Sequence, residues 1–188
     1  MSTGEGARGI VVGGRYQLGT RIGTGVHSTV FEAVDLQHER AVAVKVLHPS
    51  AVTDPEIFQR FRVAAEKLSS LSHPNLVAVH DWGQEDIRGA MTPYLVMELL
   101  TGGSLRSVLD RGRTLSPSQA LIVGLDACRG LDHAHRRGLV HGDIKPSNLL
   151  FGDDRRLRVA DLGIARLIAE ANGDDVSSMD LALSLIHI

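Results

Sequence analysis

The sequence predicts an α+β protein, with an antiparallel sheet and one helix in its first half and a mainly helical second half. Three observations carry that expectation. Short strand-like runs, several rich in Val and Ala, crowd into the first half and are interrupted by one helical pattern. Two helix starts then follow after Gly102-Gly103. Finally, the polar stretch His141 to Asn148 runs directly into Leu149-Leu150-Phe151, as a loop anchored in a core would.

The bulk properties agree. The 188 residues suffice for one domain with a core of ordinary size. A 43% hydrophobic, 22% charged composition reads as globular, and aromatics at 4% leave the core to aliphatic side chains. A net charge of −2 offers no argument for nucleic acid or a membrane surface as partner. The single cysteine, Cys128, excludes an intrachain disulfide and fits a reducing compartment. It lies in an apolar helical pattern and is expected to be a buried structural thiol. No secretory signal is visible, and no run approaches the roughly 18 apolar residues of a spanning helix. A cytoplasmic location is the expectation.

In chain order, residues 1–14 are rich in Gly and read as a flexible leader. Tyr16 to Ile22 and Val30 to Val34 read as strands joined by Gly23-Thr24-Gly25-Val26-His27-Ser28-Thr29. Glycines at that spacing allow a tight hairpin whose backbone can approach phosphate oxygens. They precede a strand rather than open a helix, which disfavours a dinucleotide-binding fold. Ala41 to Leu47 reads as a buried strand carrying Lys45, a cation that needs an anionic partner there. Asp54 and Pro55 open a helix as N-cap and first residue, and Phe58, Phe61, Ala65, Leu68 and Leu71 recur at helical spacing. Leu76 to Trp82 and Tyr94 to Met97 read as strands separated by a polar loop. Ser104 caps a short helix, and Ser116-Pro117-Ser118-Gln119 starts a long one that Gly138 ends. His133 and His135, near its end, are read as structural. Two short strands, Leu149 to Phe151 and Leu157 to Ala160, bracket a turn.

The chemistry concentrates in His141-Gly-Asp-Ile-Lys-Pro-Ser-Asn148. Asp143 can orient a nucleophilic hydroxyl or accept its proton, and Lys145 can neutralise charge on a transferring phosphoryl group. Asn148 offers the hard carbonyl oxygen that magnesium prefers. Asp161-Leu162-Gly163 adds a second candidate metal carboxylate beside a glycine.

Taken together, the loop, the Asp161 motif, the glycine-rich hairpin and the Val-Ala-Val-Lys45 strand resemble those of the eukaryotic-type protein kinases, in their bacterial Ser/Thr form. The resemblance covers about residues 15 to 168. It implies a five-stranded antiparallel small lobe with one helix over 15–98 and an incomplete, mainly helical large lobe over 99–168. It leaves 169–188 as an atypical tail, with the large lobe cut short. It further implies ATP and Mg2+ as cofactors and transfer of the γ-phosphoryl to a Ser or Thr hydroxyl of a protein substrate. Asp143 and Lys145 would be catalytic, and Asn148 and Asp161 would hold the metal. The nucleotide would contact Ile22, Gly23, Thr24, Gly25, Val26, His27, Ser28, Thr29 and Val30, with Lys45 on its phosphates. Glu98 and Leu100, beside a gatekeeper Met97, would meet the adenine.

Four departures accompany the resemblance. Ser28 replaces a third glycine, and Leu162 replaces a phenylalanine. Gly142 stands where regulated members carry the arginine suited to capturing a phosphate. The helix register, counted back from His73-Pro74, puts Ala64 where the family has the glutamate that pairs with the strand lysine. Glu66 is about 200° further round the helix and should point away from Lys45, leaving Asp161 as its expected partner. Two alternatives therefore stand beside the kinase: an ATP-binding pseudokinase scaffold and an inactive fragment.

Overall fold

The computed structural model describes residues 9–49, 55–87 and 89–163. Residues 1–8 of the expected leader, the Asp54 cap and the whole 169–188 tail lie outside them. The first half forms one antiparallel sheet from β1 (Val11–Val12), β2 (Tyr16–Thr24), β3 (Ser28–Asp35), β4 (Arg40–Leu47), β5 (Val79–Ile87) and β6 (Ala90–Glu98), in the order β1-β2-β3-β4-β6-β5. Helix α1 (Pro55–Ser69) follows β4. The second half contains α2 (Leu105–Asp110), α3 (Pro117–His135) and the hairpin β7 (Leu149–Phe151) and β8 (Leu157–Val159).

The sheet thus has six strands where five were expected. The extra one comes from residues assigned to the leader: Val11 and Val12 pair with Gln17 and Tyr16. Strand alternation explains it. Val42 and Val44 face one side of β4 and Lys45 and Leu47 the other, so both faces need cover. Val12, fully buried, covers the outer face together with Tyr16, Leu18 and Tyr94. The inner face packs on Phe61, Ala65 and Leu68 of α1, and that core runs on into Leu105, Leu149 and Val159 of the second half.

A second difference concerns β5. Leu76 and Val77 do not open it. Val77 N–H donates to the Val159 carbonyl at 3.0 Å and Leu76 bridges to β8, so they belong to the seam between the halves. The polar residues Gln84 to Asp86, read as loop, pair along β6 up to Ile87 opposite Ala90.

The long helix begins as expected. Ser116 Oγ accepts from the Gln119 amide, and the Gln119 side chain accepts from the Ser116 amide. Its inward stripe is Val123, Ala127, Gly130, Leu131 and Ala134. Cys128 falls off that stripe and is exposed, like Leu121, Ile122 and Leu125. The expectation of a buried thiol is therefore corrected: apolar spacing marked the helix but not which of its faces is covered.

One buried carboxylate organises the β3–β4 end of the sheet. Asp35 has no exposed surface and accepts from Arg15 Nε and Nη2 at 2.7 and 2.8 Å. It also bonds to His38 Nδ1 and to the amides of Gln37 and His38. The Arg15 bond, helped by those from His38 and Gln37, holds its carboxyl well below the usual carboxylate range against the opposing effect of burial. A depressed folded value gives stability that is complete above the unfolded value of about 4 and is lost as pH falls below it. Asp35→Asn should lower the melting temperature at pH 7 by roughly 5–10 °C. The gap between variant and parent should narrow as pH falls from about 5 to 3. Thermal melts across that range check both; a gap constant with pH would contradict this account.

Candidate active site

The loop that follows α3 is built around His141. Gly138, with φ +71°, lets the chain leave the helix, and Leu139 N–H returns to the Ala134 carbonyl. His141 is buried. Its Nε2 lies 2.7 Å from the Ala160 carbonyl and its Nδ1 accepts from the Asp143 amide at 3.1 Å. A carbonyl can only accept, so the proton sits on Nε2, and burial pushes the imidazole below its ordinary value. The His141 carbonyl in turn accepts from Gly163 N–H. One side chain and its own backbone thus bolt the 141–143 loop to the Asp161 motif. The sequence reading gave His141 no role; the apolar Leu139 two residues before it, which is buried as His141 is, was the available signal.

Asn148 closes the loop from its other end. It is buried, its Nδ2 donates to the Asp143 carbonyl at 2.8 Å, and its own carbonyl accepts from Ala160 N–H. With Nδ2 committed, Oδ1 has no hydrogen bond among the described residues. Lys145 Nζ lies 2.6 Å from Asp143 Oδ2, and Asn148 Nδ2 approaches the same oxygen at 3.3 Å. Both contacts fall on Oδ2 and orient the carboxylate. Gly142 has φ +76°, a left-handed backbone in which an arginine would be strained.

The sheet contributes the opposite wall. Lys45, on β4 between Val30 of β3 and Leu95 of β6, is only 7% exposed. Its Nζ lies 2.7 Å from Asp161 Oδ1, which is the acid expected. Asp161 adopts φ +63°, a conformation that Asp tolerates better than most residues, and Leu162 behind it is buried. On α1, Leu68 lines the cavity beside Asp161, together with Val79, Met97 and Leu162. Ala64 is one turn before Leu68 on that face and is half-buried, whereas Glu66 is exposed. Glu66 makes no ion pair with Lys45, whose carboxylate partner is Asp161.

The glycine-rich segment is a hairpin. β2 runs to Thr24, β3 starts at Ser28, and Gly25 N–H donates to the Ser28 carbonyl at 2.8 Å. Gly23, Thr24 and Gly25 keep small or hydroxylic side chains there; Val26 points out, and Ile22 is half exposed on β2. His27 and Thr29 are partly covered and Ser28 is buried, with Val30 paired to Lys45. At the far end of the cleft, Glu98 ends β6 and Leu100 follows it. Glu98 Oε1 accepts from the Ala78 amide at 2.8 Å and lies 3.5 Å from Arg158 Nε, a contact the sequence did not disclose. His133, expected to be structural, packs against His73 with ring centroids 4.8 Å apart and the planes tilted by 36°.

A family model described as the protein kinase domain matches residues 16–181. The chain belongs to the protein kinase family. Among curated relatives, this kinase chain is 39% identical over 157 residues to the serine/threonine-protein kinase PknB of Mycobacterium leprae, covering 84% of this chain and 25% of that protein. It is 40% identical to a probable serine/threonine-protein kinase of Streptomyces coelicolor, covering 85% and 24%. Among solved structures, the Mycobacterium tuberculosis PknI kinase domain matches with a TM-score of 0.73 at 30% identity, over 84% of this chain and 63% of that one. The chain spans about a quarter of the length of the curated relatives it matches. No helix among the described residues is long and apolar enough to cross a membrane.

Proposed function

We propose that this chain carries the catalytic residues of a Ser/Thr protein kinase that moves the γ-phosphoryl of Mg-ATP to a protein hydroxyl in the cytoplasm. The observation that carries the reading is the 2.7 Å meeting of Lys45 from the sheet with Asp161 from the second half, beside an Asp143 carboxylate oriented by Lys145 and Asn148. On this reading residues 15–98 are the small lobe and 99–168 part of the large lobe, and the family match runs on to residue 181.

The donor set suits a hard dication: Asn148 Oδ1 is uncommitted, and Asp161 supplies a carboxylate. Magnesium bound there would offset the negative charge of the phosphates. The chain's own residues do the rest. Asp143 orients the acceptor hydroxyl and takes its proton as the oxygen bonds to phosphorus and the bond to ADP breaks. Lys145 and Lys45 balance the phosphoryl charge. The 22–30 hairpin covers the phosphates, and the backbone of Glu98 and Leu100 meets the adenine. Catalysis of this kind is positioning and electrostatics, with no covalent intermediate.

Ala64 favours a second reading, a nucleotide-binding pseudokinase, because the lysine lacks its usual partner on α1. Calorimetry with Mg-ATP, alongside transfer of labelled γ-phosphate to an acceptor protein such as casein, separates the two. The kinase reading expects saturable binding and label on Ser or Thr. Binding without label would favour the scaffold, and absence of binding would remove both.

A further inference from the structure

We propose that His48, just beyond β4, is a positioning residue that pins the glycine-rich hairpin and thereby sets affinity for the nucleoside triphosphate. The inference rests on the nucleotide-binding reading of the hairpin. The hairpin's tip, from Gly25 to His27, lies between strands, and its one internal cross-bond runs from Gly25 N–H to the Ser28 carbonyl. A segment tied so lightly would fray, and every pose it explores dilutes the one that covers phosphates.

His48 supplies three further bonds from a single residue. Its backbone N–H donates to the His27 carbonyl at 2.8 Å. Its Nδ1 lies 3.1 Å from the Val26 carbonyl. Its Nε2 lies 3.0 Å from Thr29 Oγ1. The Val26 carbonyl can only accept, so Nδ1 carries a proton, and the neutral ring then accepts the Thr29 hydroxyl proton at Nε2. The imidazole therefore spans the tip at Val26 and the start of β3 at Thr29, fixing the tip relative to the β3 limb. Strand alternation puts Val46 and His48 on the face opposite Lys45 and Leu47. His48 thus braces the hairpin from behind, leaving the side toward Lys45 open for phosphates.

The test uses parent, His48→Ala and His48→Asn, the last able to keep a donor near the Val26 carbonyl while losing the Thr29 bond. Amide hydrogen exchange without nucleotide reads the brace directly. Calorimetry with the non-hydrolysable imido analogue of ATP and Mg2+ reads its consequence, and thermal melting controls for global damage. His48→Ala should accelerate exchange at Gly25 and His48, weaken analogue binding about tenfold and leave the melting temperature within about 2 °C, with His48→Asn in between. Unchanged exchange at Gly25 would overturn the brace. Faster exchange with unchanged affinity would overturn its role in nucleotide binding. A parent that exchanges slowly at Gly25 yet binds no analogue would instead overturn the nucleotide reading itself, and the proposed role with it.

Discussion

Asp143→Asn should abolish phosphoryl transfer, by about 10²–10⁴-fold or to the detection limit, while the dissociation constant for Mg-ATP changes by less than about twofold. The substitution is nearly isosteric. It removes a base and one anionic oxygen but leaves the Asp143 carbonyl that anchors Asn148 and the amide that anchors to His141. The loop therefore has no reason to move. Asparagine keeps an oxygen that can accept from Lys145, and Lys45, the other lysine assigned to the phosphates, pairs with Asp161 rather than Asp143. A defect confined to turnover follows from that separation. Equal labelling of an acceptor protein by variant and parent would defeat the assignment of Asp143. A parallel loss of nucleotide binding would put Asp143 on the nucleotide instead.

Ala64→Glu should tighten Mg-ATP binding, or raise turnover, by about tenfold. Lys45 Nζ is held by Asp161, the same carboxylate proposed for the metal. Nucleotide and metal must therefore separate an ion pair that is largely shielded from water. A glutamate at position 64, one helical turn before Leu68 on the cleft side of α1, would give Lys45 a second partner and free Asp161. A charge-assisted hydrogen bond of this type contributes roughly 1.5–3 kcal/mol, tenfold or more in affinity. Glu66→Gln is the control. Glu66 is exposed on another face, so its neutralisation should leave binding unaltered. If Glu66→Gln weakens binding and Ala64→Glu does nothing, Glu66 reaches the cleft and the helix register is wrong.

The order of strands and helices was readable in the sequence because period and punctuation agreed. Ser116 with Gln119, Pro117 at the first turn and Gly138 at the end fixed α3 before any packing was known. The pairing of Lys45 with Asp161 was also within reach, since a buried lysine needs an anion and helical geometry withheld Glu66. What escaped depended on distant neighbours. Val12 is a strand residue because the outer sheet face needs cover from it, and Leu76 leaves β5 because β8 offers it a partner. Cys128 is exposed because burial on α3 follows the stripe through Ala127 and Gly130. The Glu98–Arg158 contact joins residues sixty positions apart, with nothing local to announce it.

Asn75, just before Leu76 and Val77, belongs to the same seam between the halves. Asn75 Nδ2 donates to the Leu157 carbonyl, and its own carbonyl accepts from Val159 N–H, both at 2.9 Å. Gly130 of α3 presses against that carbonyl so closely that an added Cβ would stand 2.5 Å from it. The chain leaving the C-terminal end of α1 is therefore clamped to the second half by hydrogen bonds, while the first turns of α1 are held by packing through buried Ile57 and Phe61. A methyl group at position 130 would have to force this seam open, so Gly130→Ala would loosen α1, α3 and β8 from one another at a single point.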